Sequence, residues 1–526
     1  MGEGTIRRLS ARLEQRTGCA GWSVVGAVCG LLLLGLAMIG LYWDIAWHVD
    51  FGRDKQVLTA PHILILTALT GLMAVGLLTI GVATATEADV RLRFGRWRVP
   101  WSALLLLVFR AGGLLAFVVD ALWHDAYGVD VTLLSPPHLG LLASGSLSAV
   151  ALWLMLFEGR TESGPSGFGR VLHVIALASM LIAFSTYQAE YDYGLPLFSI
   201  LLLPVLLMAA PGLALVPARL MLGRGGAIAV AVTFLVLRGP VTLLMGVMDH
   251  TPPHLALYVP AALAVELAGW WVGTHRPLRF ALACAGLIAT FGLAGEWAWQ
   301  AAVGHHHLAT ASWPLAAALA VAGAVGGALL GAAMAGRRLP GAATWIAGVL
   351  LVLAIAVPTQ RRVAPIDAIV SLDRPQGDAL VTVELRPPAA ARDADLFEVW
   401  SVQGDGRVRS PLREVSPGLY RAERTVPVGG QWKTLVALYR GTEVMAVPIR
   451  LPADPGIEAP EVPAVASRKA SFGAVGAVLL RETHPGPRGT ALLVYACLGA
   501  VVVVWVGLLR RAIRRVLTPA APPAGR

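Results

Sequence analysis

Aspartate and histidine residues recur in two segments of the chain with the same spacing. Both segments fit the pattern D-x-x-W-H-x3-G-x-D-x6-P-H, and in each copy the two histidines are fourteen positions apart. The first copy runs from Asp44 to His62 and the second from Asp120 to His138. Chance is a poor explanation for so many matching polar positions, so the pattern indicates an internal repeat.

Each copy supplies one carboxylate and two imidazoles. An Asp and a His four residues apart share one face of a helix, and the second His follows a proline suited to the first turn of the next helix. A converging set of nitrogen and oxygen donors suits copper, zinc or iron and leaves coordination positions open for water or substrate. The predicted metal ligands are Asp44, His48, His62, Asp120, His124 and His138. Two further carboxylates, Asp54 and Asp130, are predicted to orient the imidazoles.

Weaker versions of the pattern follow later in the chain. A Pro-Pro-His helix entry recurs, a Glu-x-x-Trp-Gln segment resembles the Asp-x-x-Trp-His segment, and a run of three histidines follows it. Additional candidate ligands are Asp249, His250, His254, Glu296, His305, His306 and His307. The alternative is structural, because a histidine beside tryptophan at a membrane surface often serves as an anchor or hydrogen-bond donor.

The segments that must position these residues are strongly apolar. The 526-residue chain is 56% hydrophobic and only 14% charged, with a mean hydropathy of +0.68, which excludes a set of soluble domains. Apolar runs of about 20 residues, enough to span a hydrocarbon core, recur about eleven times and once more near the end. The predicted fold is an all-α polytopic membrane protein with about 12 transmembrane helices in repeated hairpins, surrounded by a lipid bilayer.

The distribution of arginine predicts the orientation. The net charge is +10, but the arginines fall in short loops between alternate spans, as expected for cytoplasmic loops. The charge therefore indicates topology and not a nucleic-acid partner. Both termini are predicted to be cytoplasmic, in a cell (inner or plasma) membrane, with the Asp/His segments on the extracytoplasmic side.

The predicted domains follow from the change in sequence pattern after the eleventh span. Alternating stretches at 379–385 and 435–439, separated by Pro/Gly turns, favour a small extracytoplasmic β-sandwich. The predicted boundaries are 1–18 for a basic cytoplasmic N-terminus, 19–358 for eleven transmembrane helices, 359–465 for the β-sandwich, 466–490 for a linker, 491–512 for a final transmembrane helix and 513–526 for a disordered cytoplasmic tail.

Charged residues are also expected inside the spans. Arg110, Arg238 and Glu266 fall within apolar runs. Charges at that depth are costly and mark either a functional pathway or a buried ion pair between helices. The sequence leaves both interpretations open.

The first Asp/His segment resembles a known metal-binding segment. Asp44-x-x-Trp47-His48, with the Arg-Asp pair at 53–54 and Pro61-His62, is similar to the copper-binding segment of the C subunit of particulate methane and ammonia monooxygenases. The resemblance implies copper ligands at the Asp and two His of each copy. This chain departs from that subunit in its duplication, its larger number of spans and a gap between the histidines that is longer by one residue.

The β segment resembles a second family. The stretches 417–423 and 429–435 are similar to the small extracytoplasmic domain of the YtkA/FixH type, which accompanies copper handling or oxidase assembly. Because residues 359–465 contain no histidine, we expect a docking module for a redox or copper-carrier protein instead of a metal carrier.

Three functions remain open from the sequence. The first is a copper-dependent membrane monooxygenase or oxidase component. The second is copper transport, delivery or oxidase assembly without catalysis, although the methionine clusters typical of a Cu(I) conduit are sparse. In the third, the histidines are axial haem ligands, and their position at helix ends argues against it.

Overall fold

The computed structural model describes residues 3–51, 58–128, 133–303, 311–356, 365–402, 406–455, 458–479, 481 and 489–517. Helices account for 63% of the described residues. The helices are α1 (Glu3–Thr17), α2 (Gly21–Phe51), α3 (Ala60–Ala85), α4 (Trp101–Tyr127), α5 (Pro136–Glu158), α6 (Gly167–Ser185), α7 (Ala189–Asp192), α8 (Leu202–Leu222), α9 (Gly226–Val247), α10 (Val259–Trp271), α11 (Pro277–Leu287), α12 (Leu293–Ala302), α13 (Trp313–Met334), α14 (Gly341–Ala356), α15 (Val475–Leu479) and α16 (Thr490–Leu517).

Ten helical segments in the described ranges are long and apolar enough to cross a membrane. Two of them contain an irregular turn: a 3₁₀ turn joins α6 to α7, and a π-helical turn, Ile288–Gly292, joins α11 to α12. The apolar helices α10 and α14 are shorter and occupy the two remaining predicted spans. The chain is therefore a multi-pass membrane protein, and its described residues contain ten helices of spanning length where about twelve were predicted.

Successive helices pack as hairpins. Helix α2 packs against α3, α4 against α5, and both hairpins contact each other. Pro61 and Pro136–Pro137 occupy the first turns of α3 and α5, where a missing backbone N–H costs nothing. Both helices therefore begin next to the ends of α2 and α4, and the predicted hairpin repeat is present.

Small residues allow α8 and α13 to pack closely. A methyl group added at Gly327 would collide with the backbone carbonyl of Ala209, and one at Gly331 with that of Gly212. Glycines at such positions let two helix backbones approach in lipid, where no hydrophobic force drives association.

The segment after α14 forms a nearly closed antiparallel β domain. A separate two-stranded hairpin, β1 (Leu92–Phe94) and β2 (Trp97–Val99), lies between α3 and α4. The strands of the β domain are β3 (Asp367–Leu372), β4 (Asp378–Ala379), β5 (Val381–Arg386), β6 (Leu396–Val402), β7 (Arg407–Ser416), β8 (Leu419–Ala422), β9 (Val426–Pro427), β10 (Lys433–Arg440), β11 (Glu443–Arg450), β12 (Ser467–Ser471) and β13 (Gly473–Ala474). Nine pair in the order β12-β3-β5-β8-β7-β6-β10-β11-β13, while β4 pairs with β9.

Strand β10 explains how this domain meets the helices. Val436 and Leu438 face the core of the β domain, whereas Leu435, Ala437 and Tyr439 pack in the same cluster as the transmembrane helices. Both faces of the strand are buried, so its sequence is continuously apolar instead of alternating.

Polar contacts fix the same interface. Asp395 accepts hydrogen bonds from the backbone N–H and the hydroxyl of Ser312, at 2.7 and 2.8 Å, and from Gly441 N at 2.9 Å. The Ser199 hydroxyl donates to Gly441 O at 2.7 Å, and the Tyr439 hydroxyl donates to the carbonyl of Pro196. The β domain thus lies on the loops that precede α8 and α13.

Two predicted boundaries need correction, and the predicted basic N-terminus is helical. The β domain continues past 465, because β12 pairs with β3 and β13 pairs with β11 inside the predicted linker. The last helix extends to Leu517, into the predicted disordered tail. The basic N-terminus forms helix α1, in which Arg7 donates to the carbonyl of Ala85. Each segment is short and polar, but each has backbone or side-chain partners that its own composition does not reveal.

Candidate metal centre

The first Asp/His/His group lies where α2 meets α3. Asp44 and His48 are one turn apart on α2, and His62 lies in the first turn of α3. Oδ1 of Asp44 is 3.6 Å from Nε2 of His48 and 3.1 Å from Nε2 of His62. The three ligand atoms all lie within 4.8 Å of one another.

The second group repeats this geometry where α4 meets α5. Oδ1 of Asp120 is 3.7 Å from Nε2 of His124 and 3.3 Å from Nε2 of His138. The two imidazole centroids are 6.2 Å apart here and 6.3 Å apart, between His48 and His62, in the first group. The sequence repeat is therefore a repeat of side-chain geometry.

Both groups have the donor set and spacing of a metal site. Metal bonds to nitrogen and oxygen are about 2.0–2.2 Å long, so neighbouring donors on one ion are separated by roughly 3.0–3.6 Å. The Asp-to-His distances of 3.1 to 3.7 Å match that separation. In the described part of the chain, Oδ1 of Asp44 and Oδ1 of Asp120 are buried and lack a hydrogen bond of good geometry. These two groups can hold metal ions.

The six side chains are partly accessible. Their exposed fractions range from 15% at Asp120 to 27% at His124. This burial limits competition from bulk water while leaving a route for an ion and a further ligand.

The two groups are neighbours. His62 packs edge-on against Phe117 of α4, with 6.3 Å between ring centroids, and lies close enough to Asp120 to interact with it electrostatically. The α2–α3 and α4–α5 hairpins therefore present their groups side by side at one end of the helix bundle.

The weaker candidates have other partners. The imidazole of His250 is hydrogen-bonded to Asp50 and Trp43, as detailed below. Glu296 accepts hydrogen bonds from the backbone N–H groups of Leu257 and Tyr258, at 3.2 and 2.5 Å, and so caps the start of α10. No described residue among Asp249, His250, His254 and Glu296 belongs to a metal-type group of three. Asp54, Asp130, His305, His306 and His307 lie outside the described residues.

His254 is partly buried and lies near the positive charge of Arg238. Burial, and secondarily the charge of Arg238, lowers the pKa of His254 to about 4. Its ring lies 6.4 Å from that of Trp299.

The charged residues inside the spans have different environments. Glu266 pairs with Arg219 at 2.9 Å, which makes it a structural partner between α10 and α8. The guanidinium of Arg238 lies 3.6 Å above the ring of Tyr42 and donates to Thr242 at 2.8 Å. Arg110 is 2% exposed, and in the described part of the chain its Nε and Nη2 atoms have no hydrogen bond.

Three residues near the groups could not be recognised from the sequence pattern. Glu190 accepts a hydrogen bond from Leu133 N at 2.7 Å and so holds the segment that leads into α5 and His138. Asp50 and Trp43 flank the first group on α2 but are not part of the repeated motif. The only signal in the sequence is that Asp50 and Glu190 are acidic residues next to apolar stretches.

No known protein family matches this sequence, and no curated protein is significantly similar to it. By its structure, the chain is a multi-pass membrane protein with two Asp/His/His groups capable of holding metal ions.

Proposed function

We propose that the two Asp/His/His groups bind copper and that the protein is a monooxygenase- or oxidase-like component of a cell membrane. The observation that carries this proposal is the repeated geometry of the two groups. One carboxylate and two imidazoles per group form a donor set compatible with Cu(II), and they leave positions for further ligands. The resemblance of the first segment to the monooxygenase C subunit favours copper over zinc or iron.

Different residues of the protein would bind the metal and contact the substrate. The Asp and His side chains of each group would hold the ion, and bound copper would supply the redox chemistry that activates dioxygen. Trp47 and Trp123, next to the ligand histidines in the motif, would provide apolar contacts for a substrate. The bilayer around the exposed apolar helix surfaces would concentrate an apolar substrate.

The orientation is part of the same proposal. The helix ends that carry the two groups lie on the side of the bundle that supports the β domain, and the arginine-rich loops lie between the opposite ends. By the positive-inside rule, that places the groups and the β domain outside the cytoplasm. The YtkA/FixH-like domain would then dock a redox protein or a copper carrier at the extracytoplasmic face.

The test is metal stoichiometry in the full-length protein. Purified protein in detergent is loaded with Cu(II), freed of excess ion, and analysed by elemental analysis and EPR. We expect wild type to hold two more ions per chain than the double variant His48→Ala/His124→Ala, and each single variant to lose one. His275→Ala, which changes an exposed histidine outside both groups, is the matched control and should lose none.

Two outcomes would overturn this proposal. Equal copper content in wild type and double variant would remove the metal assignment. Tight binding of zinc or iron, with copper excluded under competition, would replace copper. If copper binds as expected, oxygen consumption with a chemical reductant supports catalysis, whereas transfer of copper to an acceptor without oxygen consumption supports the delivery function.

A further inference from the structure

A hydrogen-bond network joins the end of α2 to the loop between α9 and α10. The indole Nε1 of Trp43 lies 3.1 Å from Nε2 of His250, and Nδ1 of His250 lies 2.8 Å from Oδ2 of Asp50. Thr251 also contacts Asp50, through its backbone N–H at 3.0 Å and its hydroxyl at 2.5 Å. Side-chain exposure is only 5% for His250 and 4% for Asp50.

The chemistry of the partners fixes the direction of each hydrogen bond. An indole N–H can only donate, so Nε2 of His250 must be the acceptor and cannot carry a hydrogen. The ring proton therefore lies on Nδ1 and is donated to the Asp50 carboxylate. With both ring nitrogens used in this way, His250 is a neutral structural link and has no free nitrogen for a metal ion.

This link holds the helical turns that carry two ligands. Trp43 immediately precedes Asp44, and Asp50 follows His48 by two residues. The loop at 250–251 is thus bonded to α2 on both sides of the ligand pair, which restricts rotation of these turns about the helix axis. Arg407, on β7, lies close enough to Asp50 for the two charges to attract, so the β domain acts on the same helix end.

The residues that flank the second group on α4 cannot form the same link. In the repeat, Trp43 aligns with Val119 and Asp50 aligns with Ala126. Neither side chain can form a hydrogen bond. The neighbour on that side is α16: the Tyr495 ring lies 6.4 Å from that of Trp123, and the Tyr495 hydroxyl is 3.3 Å from the carbonyl of Leu134.

We propose that His250 is a positioning residue for the first Asp/His/His group alone, so that the two otherwise matching groups differ in their affinity for metal. The inference rests on the proposed metal binding. Residues that orient ligands from outside the coordination sphere typically change affinity by 10- to 100-fold when they are replaced. Replacing His250 should therefore weaken the first group by about that factor and leave the second unchanged.

The experiment isolates each group in turn. In a His124→Ala background only the first group remains, and in a His48→Ala background only the second. His250→Ala is added to each, and Cu(II) affinity is measured by competition with a chelator of known affinity, with EPR of the bound ion. We expect a loss of about 10- to 100-fold and an altered spectrum in the first background, and no change in the second.

The second background also shows whether the variant folds, because a misfolded chain would lose copper there too. Trp43→Phe, which removes only the indole donor, should reproduce part of the loss, and His250→Asn, whose amide can still donate to Asp50, should restore part of it. Equal weakening in both backgrounds, or none in the first, would overturn the role of His250. Absence of stoichiometric copper from both backgrounds with His250 intact would instead overturn the proposed function.

Discussion

The buried ion pair between Arg219 and Glu266 allows a quantitative test of how the second half of the helix bundle is held together. The Arg219 side chain is 9% exposed and the Glu266 side chain 16% exposed. Glu266 also accepts a hydrogen bond from Ala227 N at 2.9 Å, in the first turn of α9. One carboxylate thus connects α8, α9 and α10.

The separation of the charges sets the scale of the expected effect. At 2.9 Å, an effective dielectric constant of 20 gives an attraction of about 6 kcal/mol, most of which offsets the cost of removing both charges from water. Removing one partner leaves the other charge buried. We therefore expect Glu266→Gln to lower the free energy of unfolding by about 3 kcal/mol, at the lower end of the range for buried pairs.

Replacing both partners should cost much less. In Arg219→Met/Glu266→Leu no charge is left behind, and the expected loss is about 1 kcal/mol, chiefly from the cap on α9. Unfolding is followed in mixed detergent and SDS micelles by circular dichroism. Glu162→Gln, at an exposed glutamate, is the control. A loss below 1 kcal/mol for Glu266→Gln, or a double variant as unstable as the sum of the single ones, would refute a structural pair.

Three further predictions concern other buried groups. Arg110→Met should raise the free energy of unfolding by about 2 kcal/mol, because a guanidinium without a described acceptor is costly within a membrane span; a loss of stability in the same SDS titration would reveal an unrecognised partner. Gly327→Leu should separate α8 from α13 and lower the melting temperature, while Gly348→Leu on α14, where nothing lies near the added carbon, should not; equal effects would argue against close packing as the cause. The pKa of His254 is lowered to about 4 from an ordinary 6.5, so between these pH values the unfolded chain binds the proton more readily than the folded chain. The contribution of the neutral ring to stability is therefore complete above pH 6.5 and is lost as the pH falls toward 4. The melting temperature should therefore fall less steeply over that interval in His254→Leu than in wild type, and parallel profiles would contradict the assignment.

The helix hairpins and the two Asp/His/His groups could be predicted because their information is local. An Asp and a His one helical turn apart, and a His just after a helix-starting proline, converge whenever the two helices form a tight hairpin. The copper assignment, the reaction and the orientation in the membrane stay predictions.

Contacts between distant segments could not be predicted. His250 was predicted to be a candidate ligand because the sequence around it repeats a Pro-Pro-His entry, but its partners Trp43 and Asp50 lie about 200 residues earlier. Glu266 likewise gave no sign that its partner would be Arg219 and not Arg110 or Arg238. For buried polar groups, the choice of partner depends on tertiary packing, which single-sequence patterns do not encode.

The β domain illustrates the same limit. The stretch at 435–439 was predicted to be an alternating strand. It is a strand, but it is buried on both faces instead of alternating, because its second face packs on the helices. The strands at 467–474 were missed because they are short and polar on their exposed sides.

The position of α16 has a consequence for how the protein is made. This helix packs against α4 and α5, where Trp505 lies 5.5 Å from Phe109 and covers Gly112. It is also the last described helix to leave the ribosome. At about 5–20 residues per second, roughly 20 to 70 seconds separate the synthesis of Asp120 from that of Thr490. During that interval the side of the α4–α5 hairpin that contacts α16 stays uncovered in the bilayer, so the surroundings of the second group are completed only after α16 has been synthesised.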